Sequence, residues 1–111
     1  RLDYIQNLGI NALQLMPITE YEGNISWGYN PTHYFSVDKS YGTENDLKKL
    51  IDECHKRGIA VILDMVFNHV TGAAPQAKMY WGTNAIATNN PWFNQIAPHG
   101  ASVNQDYNRT S

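Results

Sequence analysis

The stretch IAVILDMV, residues 59–66, constrains the fold of this chain more than any other. It is apolar on both faces of an extended backbone, as a strand in a parallel sheet covered on both sides must be. The glycine before it, Gly58, ends a helical pattern. A weak repeat, LGINALQLM, also runs from a helix end through glycine and isoleucine into a short strand at 10–17. The two copies predict an α/β fold.

The helix before the second strand has the clearest pattern in the chain. Thr43 suits the N-cap position, and Asp46 stands where the acid of a capping box belongs. Asp52–Lys56 and Glu53–Arg57 are spaced as ion pairs on the solvated face. The apolar stripe at i, i+3, i+4 and i+7 consists of Leu47, Leu50, Ile51 and Cys54. We therefore predict that Cys54, the single cysteine, is a core residue rather than a reactive thiol.

The connections between these elements are unequal in length. Each helix-to-strand turn is essentially one glycine, whereas residues 18–42 show no sustained period and are predicted to form a long loop. This asymmetry fits a (β/α)8 barrel, in which long loops build a site at one end, but a doubly wound sheet shows it too. Residues 71–111 also lack strong periodicity, so we predict that an inserted subdomain starts there.

Composition excludes several classes of partner. The net charge is −2 and there is no basic run, which argues against nucleic acid and anionic membrane surfaces. No apolar stretch approaches the roughly 20 residues that a membrane span needs. Aromatic residues make up 12% of the chain, and many lie in polar stretches. Exposed rings beside polar groups suit flat ligands such as sugars.

Polar side chains follow the second strand where its apolar run ends. Asp64 shares a face with Ile62 and Ala60 and lies at the carboxyl end of the strand, where ligands bind in α/β folds. It either contacts a substrate or only orients an arginine or a loop backbone. His69 can donate to a hydroxyl through one ring nitrogen while a neighbour fixes the other. Asn68 offers an oxygen to a hard cation or to a backbone donor.

The loop sequence NISWGYNPTHYF, residues 24–35, carries candidate sugar-binding rings. Gly28 allows a tight turn, and Trp27 and Tyr29 flank it. Tyr29, beside Asn30, is the better ligand candidate, because an aromatic plate with polar neighbours matches both faces of a sugar ring. We expect Trp27 to pack over the mouth of the sheet instead.

The motif DMVFNH, residues 64–69, resembles the first signature of the α-amylase family, glycoside hydrolase family 13, which reads D-x-x-x-N-H after the third barrel strand. Residues 22–69 are similar to the segment from the second strand to that signature. The resemblance implies the second-to-third-strand region of a (β/α)8 TIM barrel in residues 1–70. It also implies the start of the inserted domain B in residues 71–111.

The resemblance also implies roles for the four site residues. His69 is expected to hydrogen-bond the glucose unit at the cleavage site, Tyr29 to stack on that unit, and Asp64 to support both from beneath. Asn68 matches a position that binds structural calcium in many α-amylases, although branching-type members often lack the ion. No organic cofactor is expected.

The catalytic carboxylates of that family are expected downstream of this chain. A retaining glycosidase needs two carboxyl groups about 5–5.5 Å apart, and only Asp64 stands at a strand end here. We assign Glu20, Glu22 and Asp38 to the loop, without a partner at a strand end. The segment is therefore predicted to bind substrate but not to cleave it.

The parent protein is expected to hydrolyse α-1,4-glucans with retention. A 1,4-α-glucan branching transferase and a non-catalytic, amylase-like interaction protein are the alternatives. The expected partner is an α-glucan polysaccharide or oligosaccharide. An extracytoplasmic or secreted location is favoured over a cytoplasmic one, because polymeric glucan is usually met outside the cell.

Overall fold

The computed structural model describes residues 1–83 and 85–94 and the backbone of residues 105–106. It confirms the predicted α/β fold, in which the strands of the described residues form three two-stranded sheets. None of the helices in the described part is long and apolar enough to cross a membrane. In chain order, the elements are α1 (Leu2–Asn7), β1 (Ala12–Leu15), β2 (Thr19–Tyr21), β3 (Pro31–Val37), α2 (Glu44–Lys56), β4 (Ala60–Leu63), β5 (His69–Val70), α3 (Pro75–Met79) and β6 (Gln105–Asp106).

Strands β1 and β4 form the parallel pair that the repeat predicted, in register from Ala12–Ala60 to Leu15–Leu63. The amide of Asp64 donates to the carbonyl of Leu15 at 3.0 Å and adds one further bond to the ladder. Both strands are shorter than the predicted runs 10–17 and 59–66. Pro17 has no amide hydrogen to continue a ladder, and β4 ends just before Asp64. This carboxylate therefore stands at the carboxyl end of a parallel pair.

Helix α2 confirms its predicted start and end. The Thr43 hydroxyl accepts from the Asp46 amide at 3.2 Å, and the Asp46 carboxylate accepts from the Thr43 amide at 2.8 Å. The chain leaves the helix through Gly58, whose φ of +71° lies in the left-handed region that glycine adopts without strain. Cys54 is fully buried, as predicted for a core residue.

One of the two predicted ion pairs on α2 is correct. Arg57 Nη1 lies 2.6 Å from Glu53 Oε2, whereas Lys56 pairs with Glu53 at 2.8 Å rather than with Asp52. A single carboxylate here binds two cations. Arg57 also lies 3.0 Å from Asp3 of α1, so this partly exposed cluster joins the first helix to the end of the second.

The prediction of a loop over residues 18–42 is wrong, because β2 and β3 form an antiparallel hairpin there. Thr19 pairs with Val37, whereas Tyr21 pairs with Pro31, and the register shifts twice between these ends. Such shifts break the alternation of apolar and polar residues on which a strand prediction depends. Phe35, in the middle of β3, is fully exposed and adds to the irregular pattern.

Of the three acids assigned to the loop, Glu20 lies in β2, whereas Asp38 lies outside the strands, as predicted. It follows β3, its side chain is fully buried, and its amide donates to the carbonyl of Ile18 at 2.9 Å. Burial raises the pKa of this carboxyl, but hydrogen bonds from Ser40 and Tyr21 and the charge of Lys39 bring the pKa below its ordinary value. Asp38 thus remains ionised and closes the end of the hairpin.

A small apolar cluster lies after β4. The amide of Thr71 donates to the carbonyl of Pro31 at 3.0 Å, which joins this region to β3. Irregular structure dominates the described residues beyond 71, apart from α3, β6 and a single bridge between Trp81 and Ile86. The cluster contains buried Val70, Ala74, Ala77 and Phe93, with Tyr34 and Ile86 packed against them. It fixes the segment that carries His69 against the hairpin.

Candidate functional site

The site begins with the loop between β2 and β3, which hydrogen bonds hold closed. Asn30 Nδ2 donates to the carbonyl of Glu22 at 2.9 Å, and the Glu22 amide donates to the carbonyl of Asn30 at 3.2 Å. The Ser26 hydroxyl donates to Asn30 Oδ1 and accepts from the amide of Gly28 at 3.0 Å. Neither Ser26 nor Asn30 was singled out from the sequence as a site residue.

Gly28 is required at the tip of this loop for two reasons. Its φ is +88°, and a Cβ added to it would lie 2.4 Å from the carbonyl oxygen of Pro17. The loop therefore presses against the chain just after β1, and a larger residue would displace it. This close approach sets the position of the next residue, Tyr29.

Tyr29 is bound to the carboxyl end of β4 through its side chain. Its hydroxyl donates to Asp64 Oδ2 at 2.6 Å, a short bond typical of a charged acceptor. This bond, then burial and the charge of Asp64, raise the pKa of the Tyr29 phenol above its ordinary value. The phenol stays protonated at neutral pH, and 42% of the residue remains exposed.

Tyr29 is also bound through its backbone. His69 Nε2 lies 2.9 Å from the carbonyl oxygen of Tyr29, and Asn68 Nδ2 lies 3.2 Å from His69 Nδ1. The Tyr34 hydroxyl donates to the carbonyl of His69 at 3.2 Å. The ring of Tyr34 lies 5.8 Å from the ring of Phe67, which supports the same segment. The tyrosine is thus held by residues that follow β4.

The structure brings all four predicted site residues together in one hydrogen-bonded series. Asn68 contacts His69, His69 contacts Tyr29, and Tyr29 contacts Asp64. The sequence did not indicate that Asp64 binds Tyr29 directly, nor that both nitrogens of His69 have protein partners. Tyr34 was missed as well, and no local sequence signal marks it.

Trp27 does not pack as expected. It is 77% exposed, and the hydrogen bonds that close the loop are made by its neighbours Ser26, Gly28 and Asn30. The expectation that it covers the mouth of the sheet is wrong for the described part of the chain. Its ring is open to solvent two residues before Tyr29.

The arrangement presents a partly exposed aromatic ring, a carboxylate and an imidazole at the end of a parallel strand. A ring held at both ends can stack on the apolar face of a sugar, and the polar groups around it can bind hydroxyls. Among the described residues, no group of three or more histidine, cysteine, aspartate or glutamate side chains could hold a metal ion.

The chain is similar to known proteins over almost its whole length. The family described as "Alpha amylase, catalytic domain" matches residues 1–108. The chain belongs to the α-amylase family. A malto-oligosyltrehalose trehalohydrolase of Mycobacterium tuberculosis (strain CDC 1551 / Oshkosh) is 35% identical over 105 residues, covering 95% of this chain and 18% of the relative. A 1,4-alpha-glucan branching enzyme GlgB of Methylococcus capsulatus is 37% identical over 102 residues, covering 92% and 14%.

A solved structure also resembles this chain. Eubacterium rectale Amy13B superposes with a TM-score of 0.74 at 31% identity, covering 96% of this chain and 25% of that chain. The chain spans less than a fifth of the length of the two curated relatives described above. Membership of the α-amylase family confirms the resemblance that DMVFNH indicated.

Proposed function

We propose that the protein containing this chain hydrolyses α-1,4-linked glucans by double displacement with retention. In this proposal the chain supplies part of the glucose-binding site at the bond to be cleaved. The observation that carries the proposal is the Tyr29 ring. Tyr29 is 42% exposed, its phenol hydroxyl donates to Asp64 at the carboxyl end of a parallel strand, and its backbone carbonyl contacts His69.

Each side chain has a distinct role at that glucose unit. Tyr29 stacks on the sugar ring, and Asp64 holds the phenol so that the stacking face keeps its angle. His69 Nε2 is the donor for a sugar hydroxyl, which shares this hydrogen with the carbonyl of Tyr29. Because the bond to Tyr29 already orients the imidazole, the donor is in place before the substrate arrives.

In the same proposal, β1 and β4 are neighbouring strands of a (β/α)8 barrel, and residues 71–111 begin domain B. Their parallel register and the position of Asp64 at their carboxyl end support the barrel, since sites in that fold lie at this end. The irregular described structure after β5 supports an insertion at this point.

Catalysis needs acids beyond those of this site. Retaining hydrolysis requires a nucleophile and an acid/base about 5–5.5 Å apart, and Asp64 Oδ2 is already bound by Tyr29. We assign the nucleophile, the acid/base and a third carboxylate to other parts of the longer protein. Asp64 is then a binding residue and not one of the catalytic pair.

Structural calcium and location belong to the proposal too. Asn68 can supply one oxygen to calcium, which takes six to eight, so other parts of the protein would complete the site. Chelation of the full-length protein should then lower its Tm, and an unchanged Tm would remove the metal from the proposal. An extracytoplasmic location follows only from the expected polymeric substrate.

A branching transferase is the second candidate, favoured by the 37% identity to the branching enzyme of Methylococcus capsulatus. Hydrolysis and branching share this half of the site and differ in whether water or a sugar hydroxyl accepts the glucosyl group. The trehalohydrolase relative has a hydrolase's name and matches slightly more of the chain, so hydrolysis comes first.

Product analysis of the full-length protein on soluble starch distinguishes these candidates. Hydrolysis releases reducing ends, whereas branching creates α-1,6 linkages that a debranching enzyme then cleaves. The proposal expects new reducing ends, with the α-anomer formed first when the reaction is followed by NMR. Binding of starch without either product would indicate a non-catalytic protein and would overturn both candidates.

A further inference from the structure

The side chain of Asn30 follows the proposed stacking ring directly in the chain, yet both polar ends of its amide are engaged within the loop. Nδ2 donates to the carbonyl oxygen of Glu22 at 2.9 Å. Because a carbonyl oxygen can only accept, this contact identifies the nitrogen end of the amide. Oδ1, at the other end, accepts from the Ser26 hydroxyl. The two partners together decide how this amide is oriented.

The Ser26 hydroxyl connects the Asn30 amide to the turn at Gly28. Its oxygen accepts from the Gly28 amide at 3.0 Å. An N–H can only donate, so the hydroxyl hydrogen is left for Asn30 Oδ1. A backbone bond of 3.2 Å from the Glu22 amide to the Asn30 carbonyl closes the loop a second time. The residues on both sides of Tyr29 are therefore held by one connected set of hydrogen bonds.

We propose that Asn30 is a positioning residue for the reaction, which acts on the sugar through Tyr29 and does not bind the sugar itself. This inference rests on the proposed function, because it concerns the ring assigned to glucose stacking. The bond to Asp64 fixes only the hydroxyl end of that ring. The loop bonds of Asn30 and the contact of the Tyr29 carbonyl with His69 fix the backbone end. A ring whose Cα shifts tilts away from the plane that stacking requires.

The competing role is direct binding of a sugar hydroxyl by the Asn30 amide, as a polar neighbour of the aromatic ring. The two roles differ in how they depend on Tyr29. A residue that acts only through the ring has nothing left to position once the ring is removed. A residue that binds the sugar itself contributes its own bond whether or not the ring is present. A double-mutant cycle between Asn30 and Tyr29 separates these roles.

The cycle is measured in the full-length protein as kcat on soluble starch. Asn30→Ala alone should lower kcat about 10-fold with little change in KM, as for loss of a residue that orients a functional group. Adding Asn30→Ala to Tyr29→Ala should lower kcat no further. A further loss of about 10-fold in that background, or native kcat for Asn30→Ala alone, would overturn the inference. The matched control is Asn45→Ala on the exposed face of α2, which should keep native kcat.

Hydrogen exchange of the loop, followed by mass spectrometry, gives a measurement that does not depend on activity. Asn30→Ala and Ser26→Ala should each speed exchange of the amides of residues 22–30 roughly 5-fold, as for loss of a single hydrogen bond. Asn45→Ala should leave this exchange unchanged. Native exchange in both loop variants would overturn the inference, because the loop would then keep its shape without these bonds.

Ser26→Ala also provides a second kinetic variant if Asn30→Ala does not fold. It keeps the bond from Asn30 to Glu22, so kcat should fall less, about 3-fold, and not at all in the Tyr29→Ala background. A loss that persists without the ring would again overturn the inference. If the native protein has no activity on glucans, the proposed function fails, while hydrogen exchange still decides whether Asn30 holds the loop.

Discussion

Helix α2 and the Tyr29 site are stabilised over very different distances along the chain. The capping box joins Thr43 to Asp46, and Glu53 pairs with residues three and four positions later. In the site, Tyr29 binds Asp64 across 35 residues and His69 binds Tyr29 across 40. Local contacts stabilise the helix and make it predictable from the sequence. The site, in contrast, forms only when the hairpin and β4 have assembled.

Substitutions in the two regions should therefore have different effects, one mainly on stability and the other mainly on activity. A change in α2 removes one contact of modest energy and leaves the site geometry intact. A change in the site removes one end of an anchored ring and affects activity more than stability. The variants below are placed in the full-length protein, and each tests one side of this separation.

The largest effect is expected for His69→Ala, which should lower kcat on soluble starch on the order of 10²-fold, as for loss of one preorganised donor. In the proposed function, His69 contacts the sugar that distorts toward the transition state, so KM for long glucans should change little. Tyr29→Ala should behave similarly, and His55→Ala on the exposed face of α2 should not. Near-normal turnover of His69→Ala would make the imidazole structural.

Gly28→Ala should lower both stability and activity, unlike the variants that affect only one of them. The added Cβ overlaps Pro17, and the left-handed backbone is strained, which should lower the free energy of unfolding by about 1–3 kcal/mol. Displacement of Tyr29 should lower kcat about 10-fold, roughly 1.4 kcal/mol. Denaturant unfolding and steady-state kinetics measure the two effects.

Gly23→Ala is the matched control for that variant. Its φ of +93° imposes the same backbone strain, but nothing lies within 4 Å of the added Cβ. It should lower stability less than Gly28→Ala and leave kcat near the native value. Equal loss of activity in both variants would show that loop strain, and not the contact with Pro17, governs the position of Tyr29.

Thr43→Ala should lower stability alone. Loss of the N-cap removes a hydrogen bond to the Asp46 amide and should cost about 1 kcal/mol, measured by urea unfolding. The ratio kcat/KM should stay native, and Asn45→Ala in the same helical turn should change neither quantity. A fall in kcat/KM for Thr43→Ala would contradict the separation of the two regions.

The smallest effect concerns pH. Hydrogen bonds from Lys56 and then Arg57 lower the pKa of Glu53 to about 2. Because the pKa is lower in the folded protein, this stabilisation is present above the ordinary value near 4.5 and is lost as pH falls toward 2. Glu53→Gln should therefore lower Tm at pH 6 slightly and have no effect near pH 2. The Glu53 side chain is 35% exposed and screened by solvent, so the change should be smaller than that of Thr43→Ala.

These contrasts explain how far the sequence alone could lead. The start of α2 was predictable because Thr43 and Asp46 are three residues apart. Asp64 could be recognised as a site candidate because it ends an apolar strand. The β2–β3 hairpin was missed because its shifted register hides the strand period. The bond between His69 and Tyr29 depends on where a hairpin loop meets the end of β4, which no local pattern records.

The direction of the Asn68 amide lay beyond the sequence for a related reason. An amide has both a donor and an acceptor; the residue type left its oxygen open to a hard cation or to a backbone donor, and only the family resemblance implied calcium. Only the position of His69 Nδ1 shows that the nitrogen is engaged in the ring contact. Residue chemistry limits the possible roles, and geometry selects among them.

In the loop from Glu22 to Asn30, the residues that hold the backbone in shape differ from the residues that are exposed at its surface. Ser26, Gly28 and Asn30 maintain its shape, whereas Ile25 is 96% exposed and Asn24 is exposed beside it. Randomising positions 24 and 25 should therefore yield mostly folded variants with altered chemistry at the rim. The same hydrogen bonds that immobilise Tyr29 leave a short segment tolerant of substitution, where selection or a library can alter ligand preference without rebuilding the site.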